Sequence, residues 1–164
     1  MKILYYGGQK SGKSHLAELH TLELAGNRKP LYIATYNNSY NDPEMEERIR
    51  RHRERRKENF ITVEEPFNLP AAVLPGSCCL IDCLSMWILN NIENDENTLI
   101  SQIEQLGKTD ADIVFVLNNI GTGIIPPNQL SRKYVDYTGI AGIKTAEICD
   151  QVFEVTLGMK KRLK

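Results

Sequence analysis

No apolar run in this 164-residue chain approaches the roughly 18 residues a helix needs to cross a bilayer. No membrane span is expected. Cysteine is scarce and badly spaced for bridging. Cys78, Cys79, Cys83 and Cys149 contain no C-x-x-C pair, and the adjacent Cys78 and Cys79 would point to opposite faces of a strand. Buried free thiols are expected rather than a disulfide framework. Neither charge is in excess. Lys and Arg total 20 and Asp and Glu total 21, a net charge of −1, which argues against a surface built entirely for nucleic acid or membrane. No internal repeat, low-complexity tract or domain boundary is evident. Hydrophobic residues make up 41% and charged ones 25%, as in ordinary globular chains. One domain over residues 1–164 is expected. A glycine-rich loop stands where a secretory leader would carry its apolar core, so a cytoplasmic protein is expected.

What is present is an alternation of short apolar strands and helices. Strands are predicted at Lys2–Tyr6, Leu31–Thr35, Phe60–Glu64, Cys78–Cys83, Ile113–Leu117 and Val152–Leu157. Helices are predicted over Lys13–Ala25, from Pro43 to about Glu58, over Met86–Ile92 and over Leu99–Leu106. A last helix runs to about Cys149, with a break expected at Gly139 or Gly142. The tail MKKRLK reads only as basic. Such alternation indicates parallel βαβ units and a sheet covered on both faces.

Gly7-Gly8-Gln9-Lys10-Ser11-Gly12-Lys13-Ser14 fits G-x-x-x-x-G-K-[ST] between a predicted strand and a predicted helix. Glycines let backbone N–H groups curl around phosphate oxygens, and the helix N-terminus adds positive charge. In this motif Lys13 reaches the β/γ-phosphates, and the Ser14 hydroxyl ligates Mg²⁺. The fold class expected is therefore α/β: a three-layer P-loop NTPase (RecA-like), with a mostly parallel sheet. A second metal-positioning acid is needed at a neighbouring strand end, and Asp82 in CLIDC supplies one. The same acid could instead, or in addition, cap the helix that follows.

From Arg48 to Lys57 the sequence RIRRHRERRK holds seven basic residues and one acid, a formal charge of +6, leaving −7 on the other 154 residues. Met45, Ile49 and His52 share a helix face at i, i+4 and i+7, with Arg48, Arg55 and Arg56 beside His52. Neighbouring cations disfavour imidazolium, and a neutral imidazole among guanidiniums is a competent nucleophile toward phosphorus. A solvated charged helix with a half-buried histidine fits the same spacing. His15 and His20 read as ordinary helix residues.

These pieces together resemble the bifunctional adenosylcobinamide kinase/adenosylcobinamide-phosphate guanylyltransferase family of cobalamin assembly. The matching segments are GGQKSGKS, YIAT at Tyr32, EMEERIRRHRERR at Glu44, TVEEP at Thr62, LIDCLSMWILNN at Leu80 and NNIGTGIIPPNQLSRKYVDYTG at Asn118. The resemblance implies phosphorylation of adenosylcobinamide with ATP or GTP. It then implies attack of a histidine, aligned with His52, on the α-phosphate of GTP, and transfer of GMP to give adenosylcobinamide-GDP. Lys13 joins His52 as a catalytic residue. Nucleotide contacts would fall on the phosphate loop, Thr35, Tyr36, Asn37, Arg53, Glu54, Arg55, Arg56, Glu64 and Asp82, with Mg²⁺ on Ser14 and Asp82. A corrinoid and a nucleoside triphosphate are the implied ligands, and a homotrimer the implied assembly. Two stretches differ from the family pattern. Asn118-Asn119 stands where Asn-Glu is usual, and Gly139–Ile143 where G-R-x-N-Q is frequent. The alternatives are an enzyme keeping one of the two activities, or a RecA-like NTPase acting on nucleic acid.

Overall fold

The computed structural model describes residues 1–37, 54, 58–121 and 125–164. The elements are β1 (Lys2–Gly7), α1 (Lys13–Ala25), β2 (Leu31–Ala34), β3 (Ile61–Glu64), α2 (Leu69–Ala72), β4 (Cys78–Asp82), α3 (Leu84–Asn90), α4 (Glu96–Lys108), β5 (Asp112–Asn118), α5 (Gln129–Ile148), β6 (Gln151–Thr156) and β7 (Met159–Arg162). The seven strands form one sheet in the order β3-β2-β4-β5-β1-β6-β7, parallel throughout except for the antiparallel β6–β7 pair. This is the α/β architecture expected from the alternation of elements. Of the helix expected from Pro43 to about Glu58, Glu54 is helical and Glu58 stands in a turn, and residues 43–53 and 55–57 lie outside the described residues.

Side chains alternate along each buried strand, and both faces are covered. Leu4, Cys79, Ile81, Phe115 and Leu117 face one core, packed against α2, α3, α4 and α5. Ile3, Tyr5, Leu80, Val114 and Val116 face the other, which holds Ala17 of α1. Cys78 and Cys79 therefore point to opposite faces, and all four cysteines are free.

Local chemistry sets the helix ends. Asp95 caps α4 through its carboxylate on Thr98 N, 2.9 Å away, and the helix buries Leu99, Ile103 and Leu106 along one stripe. Asn128 caps α5 the same way on Ser131 N at 3.1 Å. The expected break at Gly139 or Gly142 does not occur, and α5 runs unbroken for 20 residues. A Cβ at Gly142 would sit 3.1 Å from Leu117 Cδ2, so this glycine serves the close approach of α5 to β5. Thr138, Ala141 and Thr145 continue that small-residue stripe.

The basic tail also differs from expectation, since Met159–Arg162 forms β7 at the sheet edge. All four of its residues are exposed, so no apolar alternation announces it. Lysines on an edge strand discourage pairing with other chains.

Candidate functional site

The carboxyl ends of the parallel strands gather most of the residues singled out in the sequence. Ala34 at the end of β2 is level with both Glu64 of β3 and Asp82 of β4. Gly7 at the end of β1 is level with Asn118 of β5. Ligands of open α/β sheets bind along this rim.

Between β1 and α1 the chain turns tightly. Ser11 N donates to Gly8 O at 3.2 Å, and Lys10 and Gly12 take φ values of 56° and 96°. Gly12 occupies the N-cap of α1 without a capping side chain, which leaves the first-turn amides for an anion. A Cβ at Gly7 would lie 2.3 Å from Val155 O, so only glycine fits there. Ser11 Oγ is buried with no hydrogen-bond partner, alone in this among side-chain atoms of the described residues. Buried hydroxyls are normally satisfied, and a phosphate oxygen in the loop is a fitting acceptor.

Lys13 is only 5% exposed, and its Nζ donates to Gly8 O at 3.0 Å. Burial lowers its pKa, while the nearby Asp82 carboxylate opposes that shift. One carbonyl satisfies one of three ammonium protons, so donors remain for phosphate. Ser14 Oγ donates to Asp82 Oδ1 at 3.4 Å, and Tyr32 OH donates to Asp82 Oδ2. A hydroxyl and a carboxylate are the hard oxygen donors that Mg²⁺ takes. Among the described residues no cluster of three or more His, Cys, Asp or Glu could hold a metal. A cation at Ser14 and Asp82 would complete its shell from substrate phosphates and water.

A layer of polar contacts braces this rim from behind. Thr35 is fully buried, and its Oγ1 accepts from Cys83 N at 3.0 Å and donates to Cys83 O at 2.8 Å. Asn90 Nδ2 donates to Thr35 O and Pro66 O, at 2.7 and 3.0 Å. Ser85 Oγ accepts from Asn118 N at 2.9 Å, and Tyr134 OH donates to Ser85 O at 3.0 Å. Burial pushes the Cys83 thiol up to about 11 and the Tyr134 phenol up to about 12, so both are neutral near pH 7. The Asp82–Cys83 peptide is cis. Sequence reasoning gave no site role to Tyr32, Ser85, Asn90 or Tyr134. Strand register could have found Tyr32: it pairs with Leu80, two residues before Asp82.

The remaining predicted residues are placed as follows. Tyr36 and Asn37 follow β2 at the rim, half-buried. Glu64 and Glu54 are exposed. His52, Arg53, Arg55 and Arg56 lie outside the described residues. His15 is exposed on α1, and His20 Nδ1 sits 2.9 Å from Tyr5 OH, within the packing of α1 on the sheet. Beside the rim, a cleft of about 1450 Å³ runs from Tyr6, Asn118 and Asn119 along α5 past Ile140 and Ile143. Asn119 also links cleft and loop, through its N–H on Gly7 O at 2.8 Å.

Residues 3–163 match the sequence pattern of the family described as cobinamide kinase / cobinamide phosphate guanyltransferase. The chain belongs to this family. The bifunctional adenosylcobalamin biosynthesis protein CobP of Pseudomonas aeruginosa is 36% identical over 173 residues, covering all of this chain and 98% of that protein. The bifunctional adenosylcobalamin biosynthesis proteins CobU of Salmonella typhimurium and Escherichia coli are 31% and 29% identical, over the full length of both chains in each case. The cobinamide kinase / cobinamide phosphate guanyltransferase match thus spans both the rim and the cleft.

Proposed function

We propose that this chain catalyses both reactions named for its family. In the first, a hydroxyl oxygen of adenosylcobinamide attacks the γ-phosphorus of ATP or GTP. The nucleoside diphosphate leaves and the hydroxyl proton passes to solvent. In the second, a His52 ring nitrogen attacks the α-phosphorus of GTP and pyrophosphate leaves. A phosphate oxygen of adenosylcobinamide phosphate then attacks the histidine-bound phosphorus. The N–P bond breaks, the imidazole is regained and adenosylcobinamide-GDP forms.

The observation that carries this reading is the convergence of Lys13, Ser14 and Asp82 on one phosphate loop, in a chain matched to the family over residues 3–163. Lys13 draws charge from the β/γ-phosphates, and backbone amides of the loop hold their oxygens. Ser14 and Asp82 would hold Mg²⁺, which supplies charge neutralisation at the transferring phosphoryl group when bound. Tyr32 orients Asp82 for that task. Thr35 shapes the β4–α3 junction behind it, and Tyr36, Asn37 and Glu64 line the same rim. Arg53, Arg55 and Arg56 neutralise the triphosphate beside His52, and Glu54 accompanies them.

The corrinoid belongs in the cleft along α5. Its volume exceeds the roughly 300–1,000 Å³ of common small-molecule sites, which suits a large macrocyclic acceptor. The cleft reaches the phosphate loop at Asn118 and Asn119, where donor and acceptor would meet. A cytoplasmic homotrimer of single-domain subunits completes the proposal.

Product analysis with adenosylcobinamide and GTP tests it. Adenosylcobinamide-GDP is the expected product, and His52→Ala should stop at phosphorylated cobinamide. A second reading, with one activity retained, is favoured by Asn119 in the cleft where the family pattern carries an acid. It predicts phosphorylated cobinamide alone from the unmodified enzyme, or transfer only to phosphorylated acceptor.

A further inference from the structure

One side chain belongs to both the phosphate cluster and the cleft. Asn118 ends β5, the strand that lies between β1, which leads into the phosphate loop, and β4, which carries Asp82. It is level with Gly7, where the loop begins. Val116 is level with Asp82, so Asn118 stands two residues further out, about 6.6 Å toward the open rim. Leu80 of β4 and Val116 of β5 face the α1 side of the sheet, and alternation puts Asp82 and Asn118 on that side too. Lys13 and Ser14 begin α1 there. Asn118 also lines the cleft that runs along α5.

Its backbone is anchored, and its side chain is barely engaged. Asn118 N donates to Ser85 Oγ at 2.9 Å, which fixes the strand end. The carboxamide Nδ2 reaches Cys83 Sγ at 3.7 Å. Burial is the main cause that keeps this thiol neutral, with Asp82 adding to the upward shift and Lys13 opposing it, so both charged groups lie near the same sulfur. A neutral thiol is a weak acceptor. Among the described residues the second Nδ2 proton and Oδ1 have no partner. An amide pinned at its backbone and loosely held at its tip, between a phosphate-loop lysine and an open cleft, can meet a substrate on each side.

We propose that the Asn118 carboxamide bridges donor and acceptor in the kinase reaction: Nδ2 donates to the γ-phosphoryl group on the loop, and Oδ1 accepts from the acceptor hydroxyl in the cleft. This rests on the kinase reading of loop and cleft given above. The hydroxyl oxygen bonds to the γ-phosphorus, the bond to the β-phosphate oxygen breaks, and the nucleoside diphosphate leaves. The hydroxyl proton passes to solvent, and Asn118 takes up none. Its part is to hold the hydroxyl in line and to draw charge from the transferring group. The β2–β3 side of the rim, with Tyr36, Asn37 and Glu64, is left to the nucleoside.

Asn118→Ala and Asn118→Asp test it, assayed with adenosylcobinamide and ATP. In Asn118→Ala kcat should fall about 10²-fold, with the KM for ATP within about twofold, because Lys13 and the loop amides still hold the triphosphate. ADP formed per phosphorylated cobinamide should rise, since water competes once the hydroxyl is no longer held. Asn118→Asp keeps the shape and an acceptor oxygen but sets a carboxylate against the phosphates, so its kcat should fall below that of Asn118→Ala. Melting temperatures should match the unmodified protein, because the Ser85 contact is made by the backbone. An unchanged kcat in Asn118→Ala would overturn the proposal. So would a loss confined to the KM for ATP, or a lower kcat that comes with a lower melting temperature and an unchanged ADP ratio. An Asn118→Asp enzyme as active as the unmodified one would also overturn it, since that place would then suit a proton acceptor. If the unmodified protein forms no phosphorylated cobinamide, the kinase reading itself fails and Asn118 loses its role with it. If it does and Asn118→Ala is equally active, Asn118 alone is ruled out.

Discussion

Asp82 accepts hydrogen bonds from Ser14, at 3.4 Å, and from Tyr32, so its two oxygens are aimed before any substrate arrives. Its charge, rather than its shape, is what a metal-assisted phosphoryl transfer needs. Asp82→Asn keeps the size and an acceptor for Tyr32 but removes the charge. Kinase turnover should fall by at least about 10²-fold with little change in melting temperature, measured by steady-state assay and thermal unfolding. This residue was legible in the sequence because an acid closing an apolar strand is conspicuous. Thr35 was legible only as part of a matching segment. Its partner, the Cys83 backbone, lies 48 residues away, and no local pattern announces that contact. His20 was read correctly as a helix residue, but its titration depends on the fold. Burial, with Lys160 adding to it, lowers the His20 pKa below the ordinary 6.5. The unfolded chain therefore takes up the proton before the folded one does. Stability should decline as pH drops through the ordinary imidazole range. A flatter dependence of melting temperature on pH between about 7 and 5 is expected for His20→Gln.

Elements with strong local signals matched their predicted bounds closely, and α1 coincides with Lys13–Ala25 because the phosphate loop opens it and Gly26 closes it. Weak or conflicting signals misled. Glycine in a helix interior costs only about 1 kcal/mol, less than the packing that holds α5 straight. The four exposed residues of β7 are defined by pairing with β6 and not by their own pattern. The short α2 escaped notice for want of length. Helical glycines now separate by what surrounds them. Nothing lies within 4 Å of a Cβ built on Gly139, whereas one on Gly107 would stand 2.9 Å from Ile148 Cγ2. Gly139→Ala should stabilise the fold by about 0.5–1 kcal/mol through helix propensity alone. Gly107→Ala gains the same propensity but drives α4 against α5. It should come out destabilising, and chemical denaturation of the pair reads both signs.

At the scale of the whole molecule, the covered sheet and the glycine-rich loop at its rim were legible, since alternating elements and the G-x-x-x-x-G-K-[ST] pattern announce both. The cleft along α5 was not, because it is made by residues from β1, β5, α5 and β6 that only the fold brings together. Its place gives the proposed enzyme a division of labour: triphosphate on the loop, acceptor against α5, and the two joined where Asn119 N meets Gly7 O. That division is testable at Ile143, which lines the cleft, is 65% exposed and makes no part of the phosphate loop. Ile143→Glu places a carboxylate on the acceptor's apolar wall without adding bulk to the core. The KM for adenosylcobinamide should rise by about tenfold or more, the loss expected when an apolar contact becomes a desolvated charge. Labelling of the protein by α-³²P-GTP in the absence of corrinoid should not change, because that half-reaction never uses the cleft. Parallel loss of labelling would instead mean that loop and cleft act as a single site, and the division would fall.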